Sequence, residues 1–160
     1  MAFDTHQAEY GSSSAISWPA SAVEQNTWIT SAAIDNTSTK ALDYLVQFEV
    51  DTPAGTAGDM KIGRFYVVGS VDNTNFSDGL AASTDGPTVT DPPNLSFLGV
   101  IHLRASSTTY NTPPWSVAGA FGLLVPPPYF FFAFHNRCNL TIASGALTGE
   151  ICAAKTQVGT

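Results

Sequence analysis

Positive charge is what this chain has least of. Its 160 residues carry six Lys and Arg against 13 Asp and Glu, for a net charge of −7. The six cations, Lys40, Lys61, Arg64, Arg104, Arg137 and Lys155, are scattered, with no cluster among them. Nucleic-acid binding draws its affinity from clustered cations that release counterions, so no nucleic-acid partner is expected. Charge of either sign is scarce. Only 12% of residues are charged, where soluble domains carry about 25%. Ser, Thr, Asn and Gly supply the polar surface instead. Such a surface is poorly protected against association, as expected of a chain that works inside a larger object.

Long uninterrupted apolar runs are also missing. The longest apolar stretch, residues 118–134, is broken by Gly119, Gly122, Pro126, Pro127 and Pro128. It is too short and too broken to span a bilayer, and no membrane partner is expected. The start, Met1-Ala2-Phe3-Asp4, shows neither the basic nor the apolar region of a secretion signal, so synthesis in a cytoplasm is expected. Cysteine is limited to Cys138 and Cys152, with no CxxC and no Cys/His group at zinc spacing. Both are expected as small buried side chains. A disulfide between them is disfavoured by a reducing cytoplasm.

Signatures of catalysis are absent too. His6, His102 and His135 have no metal-ligand partner at i+2 or i+4, and no GxSxG elbow occurs. Asp35, Asp51, Asp72, Asp78, Asp85 and Asp91 all fall in turn-like contexts. The stretch 72–79 has a superficial likeness to a calcium loop but lacks its ligand spacing and closing Glu. The expectation is a binding protein and not an enzyme, with no catalytic residue, metal or other cofactor.

What the sequence does contain is alternation. Leu42, Tyr44, Val46, Phe48 and Val50 recur at period two, with Asp43, Leu45, Gln47 and Glu49 between them. Successive strand side chains point to opposite faces, so this is a strand with one apolar face. Further strands are predicted at 28–34, 61–71, 95–104, 115–121 and 146–156. Residues 129–134, Tyr-Phe-Phe-Phe-Ala-Phe, suit a central strand buried on both faces. Residues 80–94, with Gly86-Pro87 and Asp91-Pro92-Pro93-Asn94, read as a long loop. No segment has the period of an amphipathic helix.

Several short strands separated by turns predict an all-β fold, an antiparallel β-sandwich resembling a jelly roll. Residues 1–26 lack that patterning. Gly11-Ser12-Ser13-Ser14 is a polar spacer, and Trp18-Pro19 is a lone aromatic in an extended context. The expected organisation is an extended N-terminal arm, 1–26, followed by a sandwich domain, 27–160. Phe3, Tyr10, Trp18, Trp28 and Trp115 are the candidate partner-binding residues, because aromatics anchor protein interfaces.

Two stretches carry a resemblance. One is Arg64-Phe65-Tyr66-Val67-Val68-Gly69-Ser70-Val71-Asp72-Asn73-Thr74-Asn75-Phe76-Ser77-Asp78. The other is Trp115-Ser116-Val117-Ala118-Gly119-Ala120-Phe121-Gly122, then Pro127-Pro128-Tyr129-Phe130 and on to His135-Asn136. Together they resemble small β-sandwich structural proteins of tailed bacteriophages, especially the jelly-roll cement or decoration proteins of the head. The resemblance implies a virion protein on the capsid surface that bridges neighbouring subunits and stabilises the shell. Its partners would be the major capsid protein and itself, as a homotrimer on local three-fold points. The arm would be the natural contact with the capsid or a neighbour. Its Ser-rich spacer leads to the expectation that deleting residues 1–20 leaves the sandwich folded but weakens attachment. The alternative is a tail- or baseplate-associated module that binds a receptor or glycan.

Overall fold

A computed structural model describes residues 6–55, 61–89, 94–104 and 107–158. The strands are β1 (His6–Tyr10), β2 (Ser14–Ala15), β3 (Trp28–Thr30), β4 (Ile34–Asp35), β5 (Asp43–Asp51) and β6 (Ile62–Ser70). They continue with β7 (Ser96–His102), β8 (Thr109–Asn111), β9 (Trp115–Ser116), β10 (Tyr129–Asn136) and β11 (Leu147–Val158). Two short helices, α1 (Asn36–Thr39) and α2 (Val117–Phe121), lie between strands.

The strands form two antiparallel sheets. The first has the order β1-β11-β5-β8, with β2 also pairing β11 and β9 pairing β5. The second has the order β3-β10-β6-β7, with β4 also pairing β10. Numbering the principal strands one to eight along the chain gives the orders 1-8-3-6 and 2-7-4-5. That is the double Greek key of a jelly roll.

The alternation in β5 settles which face looks inward. Tyr44, Val46, Phe48 and Val50 are buried between the sheets, while Leu45, Gln47 and Glu49 are not. Leu42, expected on the same face, lies at the rim and is 44% exposed, because the strand begins only at Asp43. Strand β10 is buried on both faces. Phe130, Phe132 and Phe134 join the core between the sheets, around the stacked rings of Phe48 and Phe65, whose centroids are 4.1 Å apart. Phe131 and Ala133 face outward into a second cluster with Trp28, Tyr66, Val68 and Leu80. Each fully buried Phe contributes roughly 1.5–3 kcal/mol of transfer free energy.

That second cluster explains the long loop. Phe76, Ala82, Val89 and Leu95 pack onto it, so the excursion between β6 and β7 is a cover for the outer face of β10. It is fastened to the β3 edge. Thr30 Oγ1 donates to Ala81 O at 2.8 Å, Thr84 N donates to Thr30 Oγ1 at 2.8 Å, and Gly86 N donates to Trp28 O at 3.0 Å.

The N-terminal segment differs from the expected arm. Within the described residues it is part of the domain. β1 and β2 both pair with β11. The chain then crosses from one sheet to the other as a strap. Ile16 N donates to Gly149 O in the first sheet, and Ala32 N beside the second sheet donates to Ser17 O, each at 2.8 Å. Ile16 and Val23 are buried in the main core. The strap therefore closes one open side of the sandwich. Its partner strand lies at the other end of the sequence, and local composition carries no trace of that pairing.

A candidate interaction surface

Of the five aromatic candidates, Phe3 lies outside the described residues. The three indoles turn into the chain. Trp18 is half-buried and meets the Phe48 ring edge-on, with centroids 6.1 Å apart. Trp28 is buried under the outer cover, stacked on His135 at 4.0 Å and tilted against Tyr66 at 5.3 Å. Trp115 is half-buried between Phe48 and Phe65. Its six-membered ring rests on the bare backbone of Gly99, where an added Cβ would lie 2.3 Å from Trp115 Cζ2. No two of these indoles share a surface platform. Among the four described candidates only Tyr10, at 59% exposure, presents its ring to solvent.

Asp72 is occupied by its own turn. The Asp72 carboxylate accepts from Asn75 N at 2.8 Å, Thr74 N at 2.9 Å, Asn75 Nδ2 at 2.6 Å and Ser70 Oγ at 2.9 Å. Hydrogen bonds from the backbone of Asn75 and Thr74, joined by the Asn75 and Ser70 side chains, hold it far below the usual carboxylate range. Asp78 Oδ2 accepts from Asn94 N at 2.8 Å. The stretch that superficially looks like a calcium loop is thus a hydrogen-bonded turn at the head of the cover. Among the described residues no group of three or more His, Cys, Asp or Glu is placed to hold a metal ion.

Both cysteines are free thiols. Cys138 is buried, its Sγ donating to Asn136 Oδ1 at 2.9 Å, and burial pushes its thiol pKa up. Cys152 is half-exposed on β11, its Sγ donating to Gly11 O at 2.8 Å. The two sit in different parts of the sandwich and not on neighbouring strands, since Cys138 follows β10 in a loop of its own.

The surface feature that sequence reading missed lies between α2 and β10. Residues 115–121 alternate like a strand, but the chain turns helical at Val117. Ser116 is the cap, its Oγ accepting from Gly119 N at 2.8 Å while donating to Asp43 Oδ2 at 2.6 Å. Asp43 Oδ1 also takes the Ala118 N–H at 2.8 Å. The helix stops at Gly122, which has φ +64°, with Gly122 N and Leu123 N each donating 3.1 Å back into the last turn. Pro126 to Pro128 then fix the approach to β10.

Between this cap and the prolines the chain presents Leu123, Leu124 and Val125, with Leu124 97% exposed. Val71, 79% exposed, shares with Leu123 a shallow groove of about 590 Å³ with mixed walls, apolar at Phe76, Phe121 and Pro127 and polar at Asn75, Ser77 and Asn94. No charged residue occurs anywhere from 115 to 134. The largest exposed apolar patch on a monomer is often functional, which makes this one the candidate. A capping Ser, a Gly five residues after the first helical position and a proline run were the signals available in the sequence. No protein-family model matches the chain, and no curated protein matches it.

Proposed function

We propose that this chain is a virion structural protein of the capsid cement or decoration type, which binds the outside of the head and bridges neighbouring copies of the major capsid protein. The observation that carries the reading is the apolar prong at Leu123, Leu124 and Val125, exposed, uncharged and braced by a helix cap and three prolines. A side chain such as Leu124 gains nothing inside its own chain. It gains transfer free energy only by entering an apolar socket on another protein. The jelly-roll order is shared by viral coat proteins, although lectins and cupins share it too, so it supports the reading only as analogy. The glycan-binding alternative draws less support, because Trp18, Trp28 and Trp115 pack against other rings of the chain.

The test compares the wild-type chain with Leu124→Ser in co-sedimentation with heads of the encoding phage stripped of their surface proteins. Wild type is expected to rebind and to raise the heads' resistance to heat. Leu124→Ser is expected to bind about tenfold or more weaker, as for loss of a central anchor. Its melting temperature should be unchanged, since the side chain is 97% exposed. Failure of the wild type to bind heads, or equal binding by both, overturns the proposal.

A further inference from the structure

The six Lys and Arg are scattered in the sequence, yet the second sheet gathers four of them at one end. Lys61 precedes β6 and Arg64 lies in its first turn of pleat, Arg104 follows β7, and Arg137 follows β10. Strand register brings these positions together. Leu103 N donates to Lys61 O at 2.7 Å, and Arg137 N donates to Ile62 O at 3.0 Å. His102 stands opposite Ile62, and His135 stands opposite Arg64. None of β6, β7 and β10 contains an acid. Asp43, Glu49, Asp51 and Glu150 all lie on β5 and β11 in the first sheet. Asp35, on β4, sits beside Tyr129 at the far end of β10. The loop that covers the outer face packs on Trp28, Tyr66, Val68, Phe131 and Ala133, and Arg64 lies beyond that cluster. Lys61, His102 and Arg104 are exposed and Arg64 is half-buried. Lys61, Arg64 and Arg104 form no ion pair among the described residues.

We infer that this end of the second sheet docks an acidic segment of another protein, an extended stretch with carboxylates at alternate positions. Charge complementarity names the occupant, because a concentration of cations on an otherwise acidic chain attracts opposite charge locally. The spread of the cations sets its form. They lie across β10, β6 and β7, and strands about 4.8 Å apart place the outer two about 10 Å from each other. One small anion cannot reach across that distance. Alternate side chains of an extended segment point to one face about 7 Å apart, which matches it. A nucleic acid fits less well. The rest of the chain sets 13 acids against only Lys40 and Lys155. A long polyanion lying over the sheet end would meet that acidic surface, whereas a short segment feels only charges within a Debye length of about 8 Å. The surface lies at the opposite end of β10 from the prong, so it stands whether or not the prong binds heads.

The experiment follows the fluorescence anisotropy of a labelled oligoglutamate peptide titrated with the full chain. Wild type is expected to bind it, and more weakly as salt rises. The double variant Lys61→Gln with Arg104→Gln is expected to bind about three- to tenfold more weakly, as for loss of two exposed ion pairs. Both side chains are exposed, so its melting temperature should match wild type. Lys40→Gln with Lys155→Gln changes the net charge equally and removes the two cations outside the cluster, so it should bind like wild type. Leu124→Ser should bind like wild type as well. Absence of binding by wild type, equal weakening in the two double variants, or tighter binding of an oligothymidylate of equal charge overturns the inference.

Discussion

Asn136 holds three parts of the molecule together, and its replacement gives a sharp test of how the sandwich is closed. It ends β10 and is fully buried. Its Nδ2 donates to Val23 O at 2.9 Å and to Leu140 O at 2.7 Å. Its Oδ1 accepts from Cys138 N at 3.1 Å and Cys138 Sγ at 2.9 Å. One side chain thus ties the strap, the end of the aromatic strand and the following loop. In Asn136→Ala the Cys138 N–H loses the side-chain acceptor it has here. The Val23 carbonyl keeps its bond from Ile142 N, and the Leu140 carbonyl keeps a long contact from Cys138 Sγ. One buried donor left unsatisfied and two weakened acceptors amount to about 2–4 kcal/mol. For a chain of this length that lowers Tm by roughly 5–15 °C.

Asn136→Asp adds a pH signature. A carboxylate would face the two carbonyl oxygens that Nδ2 now serves, so the folded state favours the protonated acid and the folded pKa is raised. A raised folded pKa contributes stability that is present in acid and lost as pH rises through it. The deficit of Asn136→Asp relative to wild type should therefore be smallest near pH 4 and larger at pH 7, with about 4 as the unfolded carboxyl value. Urea midpoints of both variants and wild type, followed by circular dichroism at each pH, measure this. An Asn136→Ala loss below about 0.5 kcal/mol, the range of ordinary surface changes, would refute the reasoning. So would an Asn136→Asp deficit independent of pH.

Two further predictions follow from the same packing. Removing residues 1–12 should leave the core closed, whereas removing 1–20 also removes buried Ile16 and the Trp18 ring over Phe48. The longer truncation should cost about 2–5 kcal/mol, read as a shift of the urea midpoint; equal midpoints would mean the strap contributes nothing. Gly99→Ala forces a methyl group into the Trp115 indole and should destabilise by about 1–3 kcal/mol with a changed tryptophan emission; an unchanged melting curve would show that the ring has room to move.

Much of the fold is legible in the residues themselves, because strands announce themselves locally. The period-two run in β5 and the unbroken apolar run in β10 each dictate their own burial. The short turns α1 and α2 were less visible, since four or five residues give no helical period and only the caps Asp35, Ser116 and Gly122 mark them. The strap was not legible at all. Its Gly-Ser-Ser-Ser reads as a spacer, and what orders it is backbone pairing to residues 149–153, which no local pattern encodes. The placement of the indoles and of the exposed apolar side chains was hidden for a related reason. Large aromatic rings look like anchors in a sequence, yet here Trp18 and Trp115 pack against Phe48, and Trp28 lies under the outer cover. Leu123, Leu124 and Val125 look like core, and a left-handed glycine and three prolines turn them outward.

The position of β11 also sets an order of events during synthesis. β11 leaves the ribosome after every other strand described, yet it occupies the middle of the first sheet, between β5 and β1. Until it arrives, β5 and β1 have no common neighbour, and the inner faces of Phe130, Phe132 and Phe134 lack much of their cover. Such distant pairing makes folding slow. Meanwhile a nascent chain displays an uncharged aromatic strand of high β propensity, the kind of segment that aggregates or recruits chaperones. Yield in a host cell would then be governed less by the stability of the finished sandwich than by how quickly its last strand finds its place.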